Sequence, residues 1–155
     1  MLQNIKSKRE QGFTIIEVLI VLAIAGLIMV VVFLAVPALQ RNSRNNSRTT
    51  DVNNLSSAVS EYQSNNGGAL PADADALATA VKNTKLGFYT GSTMVAYKDG
   101  GTAAVAAVTD ADKTVQVVMS AKCDGDKTAP GSSRQFAILF AVESGSGTVS
   151  RCQDS

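Results

Sequence analysis

Glu17 is the only carboxylate in an apolar run from Phe13 to Leu39, where the other strongly polar side chain is Thr14. An ionised group in hydrocarbon is costly enough that its default reading is functional. Other residues able to do chemistry are few. Cys123 and Cys152 are the only cysteines and allow one intramolecular disulfide if that half of the chain is exported, or a pair of buried thiols if it is not. There is no His, so no Ser-His-Asp or Cys-His arrangement can form, and no Cys-rich zinc set can be completed. Two D-x-D-K-T segments begin at Asp110 and Asp124. Paired carboxylates can bind calcium, but neither segment supplies the oxygen-ligand series or terminal Glu of an EF-hand loop. Both stand where turns are expected. The reading is no catalysis, no metal and no cofactor.

The elements around Glu17 give it a context. Lys6, Lys8 and Arg9 precede the apolar block, and Ile, Val, Leu, Phe and Ala fill it. About 20 helical residues cross the hydrocarbon layer, so one transmembrane helix is expected. The leader cations would hold the N-terminus in the cytoplasm. Arg41, Arg44 and Arg48 on the far side oppose that orientation, while the cysteine pair and the layout of the remainder favour export of the C-terminal part. A secretory signal peptide would have an apolar region of about 7–15 residues, roughly half of what stands here. The chain has 155 residues and a formal charge of +1, and beyond the leader it is close to neutral. That leaves no electrostatic footprint for nucleic acid, and the three arginines do not set such a function by themselves.

Residues 12 to 27, GFTIIEVLIVLAIAGL, resemble the amino-terminal signature of type IV pilins and of the pseudopilins of type II secretion systems. The resemblance is close over about the first 35 residues. It implies that a membrane peptidase cuts between Gly12 and Phe13, that the new amine of Phe13 is methylated, and that Glu17 becomes the fifth residue of the mature chain. In the family the proline usually stands three residues earlier, where this chain has Leu34 rather than Pro37. Physically, Gly12 offers bare backbone to a narrow peptidase site. Cleavage creates a cation at Phe13 that a carboxylate attracts strongly in low dielectric. Phe13 and Glu17 together are therefore expected to set assembly register. Gly26 allows close helix approach, and Pro37 should kink or loosen the helix near Phe33.

Beyond Pro37 no Gly or Pro interrupts the pattern until Gly67 and Gly68, so residues 13 to 66 are expected as one helix of roughly 80 Å. Val52, Leu55, Val59 and Tyr62 form one apolar stripe. A folded head is expected to cover that stripe from about Val52 onward, with the arginine section left as an exposed spacer. Asp73 or Asp75 should cap a short helix containing Leu77, Ala78 and Val81 and ending near Asn83. Residues 94–98, 102–109 and 114–121 are strand candidates. Residues 135–143 and 148–152 form a hairpin around SGSG. The fold class is α+β: a long N-terminal helix packed against a small antiparallel β-sheet head. The expected divisions are a cleaved leader (1–12), a membrane and filament-core half of the helix (13–39), a spacer and amphipathic half (40–66) and the head (67–155). The resemblance also implies that a Cys123–Cys152 bridge encloses a C-terminal surface loop. Phe88, Tyr89 and Tyr97 could contact a receptor, but ordinary sheet packing is the better default.

The leading function is a structural subunit of a type IV pilus, a homo-oligomer in a helical filament. Its implied partners are other pilins, the prepilin peptidase, an inner-membrane assembly platform and, before assembly, membrane lipid. The alternatives are a pseudopilin of a type II secretion or DNA-uptake apparatus, and an unassembled membrane-anchored binding protein.

Overall fold

A computed structural model describes residues 12–90, 95–100, 108 and 114–155. Its elements are α1 (Ile15–Asn65), α2 (Ala74–Val81), β1 (Val95–Asp99), β2 (Val115–Met119), β3 (Ala121–Asp124), β4 (Lys127–Pro130), β5 (Phe136–Ser144) and β6 (Gly147–Asp154). The chain divides into two units at the Leu39–Gln40 boundary, within α1.

In the first unit α1 is long and apolar enough to cross a membrane. Its side chains face outward all round, with Phe13 89% exposed and Leu27 70% exposed. β-branched residues are only fair helix formers in water, but in hydrocarbon a helix satisfies its backbone groups internally. Pro37 lies inside the helix. It has no amide to donate to the carbonyl of Phe33 one turn earlier.

The second unit contains the head. Here α1 buries Val52, Leu55 and Val59, and Tyr62 is half-buried. The helix stops where glycine permits a left-handed turn: Gly67 has φ +65° and the Gly68 amide donates to the Gln63 carbonyl at 2.8 Å. The stripe packs on a four-stranded sheet of order β1-β2-β5-β6. β5 is central and apolar on both faces. Phe136, Ile138 and Phe140 belong to the cluster that includes Val52, Leu55 and Val59, while Ala137, Leu139 and Ala141 join Val108, Val118 and Ala121 in a second cluster. Asp73 caps α2, its carboxylate accepting from the Ala76 amide at 2.8 Å.

The architecture is the expected α+β packing of a long helix on a small sheet, with three departures in detail. β1 pairs with β2 in parallel, whereas the β2–β5 and β5–β6 pairs are antiparallel. Parallel neighbours need a crossover rather than a tight turn. Most of the proposed 102–109 strand, together with Met94 and the Asp110 segment, lies outside the described residues.

The proposed 114–121 strand ends at Met119. Ser120 takes φ +53°, and Ala121 begins a separate two-stranded sheet of β3 and β4. Gly131 allows this: its amide donates to the Ser120 carbonyl, and a Cβ there would lie 2.8 Å from the Ala121 backbone.

The third departure concerns the arginines. Arg48 is completely buried and α1 is already packed there, so the arginine section is part of the head and not an exposed spacer. A carboxylate on the sheet draws it in, as described below.

Candidate functional site

The first candidate site is the start of α1. Thr14 is the residue before the helix, and Glu17 stands in its first turn. The Thr14 amide and hydroxyl both donate to Glu17 Oε2, at 2.8 and 2.7 Å, while the Glu17 amide donates to Thr14 Oγ1 at 3.3 Å. This reciprocal arrangement is a capping box, satisfying amides that have no partner within the helix. Both carboxylate bonds fall on Oε2. Oε1 accepts no hydrogen bond among the described residues. Sequence reasoning placed Glu17 but missed Thr14 as its partner, although the T-x-x-E spacing before an apolar run is a legible signal.

Gly12 and Phe13 are exposed beside this cap, and a side chain at Gly12 or Gly26 would meet nothing within 4 Å. Lys6, Lys8 and Arg9 lie outside the described residues.

The second constellation lies in the head. Arg44 donates to Glu143 through Nε at 2.7 Å and also through Nη2, a two-pronged pair. Arg48 reaches the same carboxylate through Nη2 at 2.9 Å and the Ala141 carbonyl through Nη1 at 3.3 Å. Asn45 pairs with the Glu143 backbone in both directions, accepting from its amide and donating to its carbonyl, each at 2.8 Å. Arg41 adds a bond to the Ser144 carbonyl at 3.4 Å. The hydrogen bonds from Arg44, with the charges of Arg44 and Arg48, hold the Glu143 carboxyl below the ordinary carboxylate range against the upward push of partial burial.

One turn further along, Asp51 accepts from three successive amides: Gly87 at 2.8 Å, Phe88 at 2.7 Å and Tyr89 at 2.9 Å. The Arg48 guanidinium sits 4.3 Å over the Phe88 ring. Charge thus clips α1 to the β5–β6 hairpin on one side and to the 87–89 loop on the other. The signal for this was Glu143 at the end of the most apolar strand.

The other candidates resolve as packing. Tyr89 is buried and its phenol is pushed up to about 12, first by that burial, with the Arg48 charge pulling down and the Asp51 charge pushing up. The Tyr97 hydroxyl donates to the Ala72 carbonyl at 2.8 Å. Asp124 and Asp126 flank the β3–β4 turn at Gly125, where φ is +67°. Among the described residues no three His, Cys, Asp or Glu side chains gather as a metal site. Cys123 and Cys152 are joined in a disulfide with their Cα atoms 5.6 Å apart, linking β3 to β6 and so the small sheet to the large one. Closing a loop of this length contributes about 3–4 kcal/mol in the chain-entropy picture.

Compared with known proteins, the chain matches the family described as the prokaryotic N-terminal methylation motif over residues 7–33. No curated protein and no solved structure matches it. The chain therefore carries, on a helix long and apolar enough to cross a membrane, a prepilin-type methylation motif like that of type IV pilins and pseudopilins.

Proposed function

We propose that this chain is a structural subunit of a type IV pilus. Its precursor sits in the cytoplasmic membrane with the head exported. The prepilin peptidase removes residues 1–12 and the amine of Phe13 is methylated. The mature chain then joins an extracellular filament through residues 13–39, meeting other pilins and the inner-membrane assembly platform on the way. The observation that carries this reading is the methylation motif together with a carboxylate at Glu17 in the first turn of an otherwise apolar helix.

The capping geometry supports a mechanism. In the single subunit, Thr14 satisfies one oxygen of Glu17, which lowers the cost of keeping that carboxylate near lipid. The other oxygen is open to the Phe13 ammonium of a neighbouring subunit. A neighbour slipped along the bundle would strand both charges in a dry interior, a penalty of several kcal/mol, roughly. Apolar contact along the helix supplies the adhesion and the charge pair supplies the register. Pro37, which leaves the Phe33 carbonyl without its helical donor, is the place where α1 can lengthen when the fibre is pulled.

Shearing intact cells and reading the N-terminus of the released material by mass spectrometry tests the proposal. A polymer beginning at methylated Phe13 is the expected result. Intact, monomeric precursor confined to membranes would overturn it. Antibody labelling of the head on whole cells separates a surface fibre from a short envelope-spanning pseudopilus.

A further inference from the structure

We propose that Asn66 is a site of spontaneous, irreversible modification, converting to aspartate and isoaspartate by attack of the Gly67 amide on its side chain. Asn66–Gly67 is the only Asn-Gly pair in the sequence, and both residues are exposed. The turn that ends α1 fastens the residues around the attacking nitrogen but not that nitrogen itself. The Asn66 amide donates to the Tyr62 carbonyl at 3.0 Å and the Gly68 amide to the Gln63 carbonyl at 2.8 Å, whereas the Gly67 amide donates to no acceptor among the described residues. Gly67 stands at φ +65°, and among the described residues a side chain there would meet nothing within 4 Å, so the turn is open on that side. Among the described residues the Asn66 side chain is held by a single exposed bond, from Nδ2 to the Tyr62 carbonyl at 2.8 Å, which water can replace. The Arg134 guanidinium lies against Gly68, with its Cζ 3.1 Å from where a Cβ would stand. That cation favours an anionic nitrogen one residue away.

The chemistry balances with water as the only co-reactant. Hydroxide takes the Gly67 amide proton, the nitrogen forms a bond to Asn66 Cγ, and the Cγ–Nδ2 bond breaks as Nδ2 leaves as ammonia with a proton from solvent. Water then opens the cyclic imide at either carbonyl, giving aspartate or isoaspartate. No electrons are transferred. The Asp99–Gly100 pair, which could form the same ring, is locked because the Gly100 amide donates to the Met119 carbonyl at 2.9 Å.

Conversion matters to the fold because it puts a carboxylate at the C-terminal end of α1, where the helix field disfavours negative charge. It also removes the side-chain donor to the Tyr62 carbonyl, leaving that carbonyl only the backbone amide of residue 66. Isoaspartate adds a backbone atom just before the left-handed turn that leads to Leu70, a residue packed on the main core. The head therefore carries a record of its own age.

The test is peptide mapping by mass spectrometry of full-length, detergent-solubilised protein held at mildly alkaline pH. The expected result is conversion of Asn66 several-fold faster than of any other asparagine. Gly67→Ala should slow it several-fold. Asn66→Gln, whose longer side chain must close a larger ring while keeping the amide donor, should show almost none, with the helix content of both variants checked by circular dichroism. Persistence of Asn66 in the folded protein while the denatured, reduced chain converts would overturn the proposal. So would equal rates in the parent and a folded Gly67→Ala.

Discussion

At the scale of single residues, two charges decide different things. Glu17 sits in a capping box, so Glu17→Ala removes a helix cap as well as a charge, at a cost of about 1 kcal/mol to the first turn. A long apolar helix in lipid tolerates that loss. The expected outcome is normal insertion and cleavage after Gly12 but poor recovery in sheared filaments when the variant is the only copy, measured as filament yield against processed protein in membranes. Glu17→Gln keeps an acceptor for Thr14 and loses the charge, so it should fail similarly; a wild-type yield would reject ion pairing as the basis of register. Arg48 works inside one molecule. Arg48→Ala leaves Glu143, among the described residues, with only the half-exposed Arg44 as its ionic partner and opens a void beneath Phe88, which should destabilise the head by about 2–4 kcal/mol in urea titration. The place of Glu17 in the first turn of α1 could be read from the sequence because the apolar run around it is long and uninterrupted. The burial of Arg48 could not, since its partner stands 95 residues away and an arginine on a helix face looks solvated until the opposing strand is placed.

At the scale of elements, helix ends were the most legible features because capping is local. Asp73 before α2 and the glycines after Asn65 each act within a few residues. The β5–β6 hairpin was legible for the same reason: an apolar run and a Ser-Gly turn determine it together. The parallel β1–β2 pair was not, because it joins segments with a crossover between them. Nor was the small β3–β4 hairpin, because it separates from β2 at a positive φ on Ser120, a residue that does not advertise one, and at the close approach of Gly131 to Ala121. The join between α1 and the β5–β6 hairpin carries a pH dependence of definite sign. The Glu143 carboxyl is held below its ordinary value of 4.5, so in acid the unfolded chain binds more protons than the folded head. Stability from this group is complete above about pH 4.5 and is lost as pH falls through the lower folded value. Urea midpoints compared at neutral and acid pH should drop more for the parent than for Glu143→Gln. Identical pH slopes would show that the carboxylate contributes nothing to the join.

At the scale of the whole molecule, the division at Leu39–Gln40 separates residues 12–39, in which every side chain faces outward, from a stretch that builds a closed core. The contrast was legible in composition alone. The first part has no polar face to offer water and the second buries its apolar residues in two clusters around β5. The cysteine pairing was legible by arithmetic once export was assumed, but the elements it joins were not. Its consequence is mechanical. Force carried along the backbone passes directly from Cys123 to Cys152, so the 29-residue span containing the whole of β5 bears no end-to-end tension. The central strand cannot be drawn out by pulling on the termini, however large the load. In single-molecule extension, the oxidised chain should fall short of the reduced chain by about 100 Å of contour length. Equal extensions would mean that the bridge does not carry the load. A subunit built this way can surrender β2 and everything before it to traction, yet it keeps β5 looped back against the part of β6 that precedes Cys152.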